Sequence, residues 1–197
     1  MTYILGLTGS IGMGKSTTAG FFRDAGVPVW DADAVVHALY SKGAAGVQAI
    51  EALAPASVKN GEVDRGELRA AILADPILLE RVEAAVHPLV AMDREVFLKL
   101  HMQEPLVLCD IPLLYETGIE TWLNGVLVVT ADADVQRERV MARADMSEAL
   151  FAKILAKQTP DAEKRARAVY IIDTGLGLDH ARDAVHDLIK QIGDKNA

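Results

Sequence analysis

The chain has 197 residues, 51% of them hydrophobic, a formal net charge of −8 and one cysteine, Cys109. That length suits one domain, or one domain carrying a small insertion, and that apolar content supports a buried core rather than a disordered chain. The acidic balance disfavours a nonspecific nucleic-acid binder, and a single cysteine allows no intrachain disulfide, which fits a reducing cytoplasm.

Residues 1–9 lack the basic stretch of a signal peptide, and no run of about 18 apolar residues marks a membrane helix. Five short apolar segments read as buried strands, at 3–8, 27–30, 106–110, 126–130 and 169–173. Most lack strict alternation, as parallel strands covered on both faces do. Helical patterns separate them, so the fold class is α/β, a parallel five-stranded sheet flanked by helices.

The first strand runs into Gly9-Ser10-Ile11-Gly12-Met13-Gly14-Lys15-Ser16, a complete G-x-x-x-x-G-K-[ST] phosphate loop between a strand and a helix. Glycines let successive N–H groups curl around an anion, and the helix N-terminus adds free donors. Lys15 should reach the β- and γ-phosphates and the Ser16 hydroxyl a Mg²⁺ ion. The helix should run to about Ala25 and stop at Gly26.

Asp31-Ala32-Asp33 follows the second strand, at the carboxyl edge where open α/β sheets bind ligands. A carboxylate there could take the proton of an attacking hydroxyl, or could cap the next helix; one of the two could do each. Residues 34–104 read as a helical insertion with no strand. His87-Pro88 interrupts its helical pattern, and the proline is expected to kink or end the helix.

Asp110 ends the third strand in a Walker-B-like position, a possible Mg²⁺ contact, and the turn Pro112-Leu113-Leu114-Tyr115-Glu116 follows. Cys109 reads as a small buried apolar residue. Residues 133–167 are helical, with more basic than acidic side chains. Arg139 and Arg143, at i and i+4, share a helix face. They could close on a triphosphate, or form a solvated basic face paired with Glu138 or Asp145. A last helix over 179–192 should pack on the sheet, and residues 193–197 should fray. The five histidines show no zinc-ligand spacing with Cys109.

The ordered set of motifs, from the phosphate loop through Asp31-Ala32-Asp33, Asp64-Arg65-x-x-Leu68, His87-Pro88, Asp110 to Glu116, Gln136-x-x-Arg139-x-x-x-Arg143, Gln158 and Ile171-Ile172-Asp173, resembles the dephospho-CoA kinase family over nearly the whole chain. The resemblance implies a P-loop kinase core at 1–33, 105–132 and 168–197, a helical acceptor-binding insertion at 34–104 and a lid at 133–167. It implies ATP-dependent phosphorylation of the ribose 3′-hydroxyl of dephospho-CoA, with Mg²⁺, by a cytoplasmic monomer or weak homo-oligomer that needs neither nucleic acid nor membrane.

By the same resemblance Gly9, Gly12, Met13, Gly14, Lys15, Ser16 and Thr17 bind ATP, and Asp33 is the general base. Lys15, Arg139 and Arg143 stabilise the transferring charge. Arg65, His87, Pro112, Leu113 and Glu116 lie towards the acceptor with Asp33, and Ser16 and Asp110 towards the metal. Met13 stands where the family has Ser, and Thr174 where it has Asn, which weakens any carry-over of adenine contacts to Thr174. Another small-molecule kinase or a regulatory P-loop NTPase remains the alternative. The chain lacks the Asn-Lys-x-Asp element that reads guanine.

Overall fold

The computed structural model describes residues 1–196. In chain order the elements begin with β1 (Tyr3–Thr8), α1 (Lys15–Asp24) and β2 (Val29–Asp31). Next come α2 (Ala32–Leu39), α3 (Ala45–Leu53), β3 (Val58–Lys59), β4 (Glu62–Val63), α4 (Arg65–Ala74) and α5 (Pro76–Leu100). Then follow β5 (Leu106–Asp110), α6 (Leu114–Thr117), β6 (Gly125–Thr130), α7 (Ala133–Met141), α8 (Glu148–Leu155), α9 (Asp161–Arg167), β7 (Tyr170–Asp173) and α10 (Leu178–Asn196). The chain divides into two compact units: Met1–Trp30 with the chain from His101 onward, and Asp31–Leu100.

The first unit holds a five-stranded sheet in the order β2-β5-β1-β6-β7. β1 pairs in parallel with β5 and β6, and β6 with β7. Alternation along each strand sends side chains to both faces. Leu5, Leu7, Leu106, Leu108, Leu127 and Val129 meet Phe22 of α1 and Val185 and Ile192 of α10 in one core. Val107, Cys109, Val126 and Val128 are buried as well. Both faces are therefore covered, which explains why these strands read as apolar runs. Each fully buried Leu or Val contributes about 1.5–3 kcal/mol. Gly26, at φ 82°, ends the first helical segment.

The second unit is helical around its own core of Val47, Ile50, Leu68, Leu78, Val82 and Val86. One expectation fails in it, and one half of another. Residues 34–104 do contain strands: β3 and β4 form a small antiparallel hairpin, with Val58 opposite Val63. Asn60 and Gly61 turn it, both at positive φ, 55° and 81°. Asn-Gly is the pair a two-residue hairpin turn favours, but the strands it joins here are too short to leave an alternating pattern in the sequence. Pro88 neither ends nor divides the helix; α5 runs through it. The i, i+4, i+8 row Leu78, Val82 and Val86 is buried along the turns that lead up to it.

The last helix also exceeds its expected span, running to Asn196, so residues 193–196 continue it; Ala197, the last of the expected frayed tail, lies outside the described residues.

Candidate active site

The phosphate loop leaves the carboxyl end of the central strand β1. Gly12 and Gly14 take φ of 81° and 85°, the left-handed region. A Cβ at Gly12 would lie 2.6 Å from Val140 Cγ2, and one at Gly14 2.9 Å from Thr174 Oγ1, so neither position admits a side chain. Gly14 caps α1 without a side-chain hydrogen bond, which leaves first-turn N–H groups for an anion. Ser16 and Thr17 are exposed on that turn. Met13 contributes differently from its neighbours: its side chain lies in the core at 3% exposure and its N–H donates to Ser10 O at 3.1 Å. The hydroxyl that a Ser would carry there is replaced by packing.

Lys15 Nζ donates to Asp110 Oδ1 at 2.6 Å, with both side chains largely buried. The carboxylate at the end of β5 thus holds the loop's ammonium beside the phosphate-binding backbone. Among the described residues no three His, Cys, Asp or Glu side chains gather as a metal cage. One hydroxyl, Ser16, and one carboxylate, Asp110, are nonetheless the donor types that hold Mg²⁺ when phosphate and water oxygens supply the other ligands.

Arg139 and Arg143 both line a cavity of about 210 Å³ with Gly12, Gly14, Thr17 and Thr174. The shared helix face is not how they come together. α7 ends at Met141, and Arg143 lies in the turn beyond it, exposed and without an ion pair among the described residues. Arg139 donates to Thr174 Oγ1 at 2.9 Å and to Thr174 O at 2.8 Å. Neither arginine pairs with Glu138 or Asp145, so the solvated basic face does not form. Thr174 Oγ1 in turn donates to Met13 O at 2.9 Å. This threonine, which the sequence marked only as a departure, ties the arginine to the phosphate loop.

The turn after β5 is fixed on several sides. Thr8 Oγ1 donates to Pro112 O at 3.0 Å. Leu113 is exposed and Tyr115 buried. The Arg167 guanidinium stacks on the Tyr115 ring, 4.0 Å from its centroid, and pairs with Glu120. Glu116 Oε1 accepts the Thr159 N–H at 2.8 Å and lies 2.7 Å from Lys164 Nζ, whose side chain is fully buried. Glu116 Oε2 is buried with no hydrogen-bond partner among the described residues.

Burial pushes the Glu116 carboxyl up, but the Lys164 ammonium and the Thr159 N–H outweigh it, and its pKa falls below the ordinary 4.5. The unfolded chain therefore binds this proton first as the pH drops. The stabilisation is complete above about 4.5 and is lost as the pH falls through the lowered folded value. In denaturant midpoints measured against pH, the double variant E116Q/K164M should lose less stability below pH 4.5 than the wild type. Equal acid losses would contradict the pair's role.

Two glutamines hold the peptide groups of Ile11, inside the loop. Gln136 Nε2 donates to Ile11 O at 2.7 Å, and Ile11 N donates to Gln158 Oε1 at 3.1 Å. The motifs contained both residues, but nothing in their spacing gave them a task. Lys164 was masked more completely, as one cation in the charged run from Asp161 to Arg167.

In the second unit Asp31 is the cap: its Oδ1 accepts the Ala34 N–H at 3.0 Å. Asp33 lies two residues on, within the first turn of α2, exposed, with no hydrogen bond or ion pair among the described residues. Arg65 begins α4 behind the cap Asp64, and Arg65 and His87 are exposed. No described helix is long and apolar enough to cross a membrane.

Comparison with known proteins adds a family. The family model described as dephospho-CoA kinase matches residues 3–179. A dephospho-CoA kinase of Cereibacter sphaeroides is 58% identical over 188 residues, covering 95% of this chain and 94% of that one. A dephospho-CoA kinase of a Jannaschia species is 53% identical over 192 residues, covering 98% of each. Among solved structures, TT1252 from Thermus thermophilus superposes with a TM-score of 0.77 at 34% identity, over 96% of this chain and 97% of that one.

Proposed function

This chain belongs to the dephospho-CoA kinase family, and on that footing we propose that it transfers the γ-phosphoryl group of ATP to the ribose 3′-hydroxyl of dephospho-CoA, giving coenzyme A and ADP. The observation that carries the reading is the phosphate loop with Lys15 held by Asp110 at its side. Phosphoryl transfer needs alignment and charge stabilisation more than covalent chemistry, and a loop of backbone donors with a fixed ammonium supplies both.

The N–H groups of Gly12, Gly14, Lys15, Ser16 and Thr17 hold the β- and γ-phosphates. Lys15 moves from Asp110 onto the phosphate oxygens, and Arg139 and Arg143 neutralise charge that spreads as the bond breaks. Asp33 accepts the proton of the attacking hydroxyl; its unpaired carboxylate is free for that role. Ser16 and Asp110 would hold Mg²⁺, which supplies further neutralisation of the triphosphate. Arg65, His87 and the Pro112, Leu113 and Glu116 turn serve the acceptor side. Residues 34–104 form the acceptor-binding part and residues 133–167 the cover of the nucleotide. The setting is the cytoplasm, where both substrates occur.

Presenting dephospho-CoA, shikimate, gluconate and nucleoside monophosphates with ATP tests the acceptor. Phosphorylation of dephospho-CoA well above the others is expected; preference for another acceptor would overturn the reading. Within the nucleotide site, T174V should raise the KM for ATP by about tenfold, because Arg139 and Met13 O each lose a hydrogen-bond partner worth roughly 0.5–1.5 kcal/mol. T174S keeps the hydroxyl and should restore it. An unchanged KM in T174V would remove Thr174 from nucleotide binding.

A further inference from the structure

The residues at Gln158 and Thr159 face two ways. The Gln158 side chain accepts the N–H of Ile11 in the phosphate loop, and the very next N–H, that of Thr159, donates to Glu116 in the turn after β5. Lys164 Nζ, fully buried, lies on the same Glu116 oxygen. A single short corner of chain therefore touches both the phosphate loop and the turn after β5. We propose that the Gln158–Thr159 corner is a tie between the phosphate loop and the turn after β5, and that Gln158 and Glu116 are positioning residues whose loss weakens nucleotide binding although Glu116 serves the loop only through Thr159 and Gln158.

The physical reason lies in the loop's composition. Glycines at 12 and 14 leave its backbone many conformations, so the inward N–H geometry has to be imposed from outside. Ile11 immediately precedes Gly12, and side chains rather than backbone satisfy both its N–H and its C=O. A peptide so held cannot rotate without losing Gln136 or Gln158. Gln136 comes from α7, beside the Arg139 anchor, whereas Gln158 stands in the connection between α8 and α9. That connection has little regular structure to fix it. Its rigidity comes from Thr159 on Glu116, and Glu116 is held in turn by a buried ammonium that has no other acidic partner within ion-pair distance among the described residues. The buried pair is an expensive way to hold a turn and is not needed to fill space, since apolar side chains of similar volume often do as well or better. Its charge draws a carboxylate oxygen to one place, where the Thr159 N–H meets it.

The proposal rests on the kinase reading only in that the loop binds a nucleotide, so its test uses binding and no acceptor. ADP with Mg²⁺ is titrated calorimetrically into the full chain, and thermal unfolding is followed for every variant. Q158A should bind ADP about five- to tenfold more weakly than the wild type, as loss of one hydrogen bond to a binding loop predicts. E116L/K164M replaces the buried pair by apolar side chains, stays folded, and should still bind at least about threefold more weakly, because Thr159 N–H has lost its acceptor. E116Q/K164M keeps an acceptor oxygen for Thr159 and should bind within about twofold of the wild type. Combining Q158A with E116L/K164M should cost little more than the weaker-binding parent, since both cut one tie.

Wild-type affinity in Q158A or in E116L/K164M, equal weakening in E116Q/K164M and E116L/K164M, or a combined variant whose loss equals the product of its parents' losses would overturn the tie. A wild-type chain that fails to bind ADP would overturn the tie and the kinase reading together. A chain that binds ADP and shows this pattern but phosphorylates no dephospho-CoA would contradict the kinase reading alone.

Discussion

Asp33→Asn should lower kcat for transfer to dephospho-CoA by about 10²–10⁴-fold, the range over which a positioned general base acts. Asparagine keeps the shape and a hydrogen-bond acceptor but cannot take the proton. Binding of ATP should change little, because Asp33 lies on the first turn of α2 and not in the phosphate loop. The KM for dephospho-CoA should rise only slightly. The neighbouring carboxylate supplies the control. Asp31 caps α2 through Ala34 N, so D31N, which retains a cap acceptor, should leave kcat within a few-fold of the wild type. Steady-state kinetics on both variants, with ATP affinity measured separately, would separate the two aspartates. Near wild-type turnover in D33N would remove it as the base.

Lys15→Met should be the second large loss, on the order of 10²–10³-fold in kcat, comparable with removing one preorganised donor from a developing anion. Methionine preserves the apolar stem, so the loss reports the ammonium. Lys15 also neutralises Asp110, whose side chain is 3% exposed, and its removal deletes that largely buried ion pair. K15M alone should therefore unfold at a lower temperature as well as lose turnover. K15M/D110N should recover the unfolding temperature and not the turnover. If the double variant regained both, the kinetic loss would reflect folding and not charge at the transferring phosphate.

Much of this architecture was legible because parallel strands buried on both faces leave apolar runs and because the phosphate loop has a rigid consensus. β1 and β5 have the expected bounds, and α1 starts and stops as its glycines require. The choice between Asp31 and Asp33 as cap stayed open in the sequence, since either type and either spacing serves. The structure assigns the cap to Asp31. The hairpin of β3 and β4 has almost no sequence signature, because two-residue strands bury almost nothing and leave only Asn60-Gly61 as a trace. Pro88 does not end α5, because a proline costs a helix one hydrogen bond while the turns before it are anchored by the buried row of Leu78, Val82 and Val86.

The site was legible in its consensus residues and obscure in those that hold them. Lys15, Asp110 and Arg139 belong to recognisable patterns. Thr174, Gln136, Gln158 and Lys164 act through contacts across 35 to 161 positions of chain, or through burial, and neither property has a local signature. The arginines show the same limit. Their four-residue spacing points to one helix face, but α7 ends between them, and a shared cavity rather than a shared face unites them.

The most direct test is to incubate the purified chain with ATP, Mg²⁺ and dephospho-CoA and to follow the product by phosphorus NMR. The account predicts a new phosphomonoester on the ribose 3′-oxygen, formed in step with ADP. ADP release without that phosphomonoester, or a phosphate on any other oxygen of the acceptor, would contradict it.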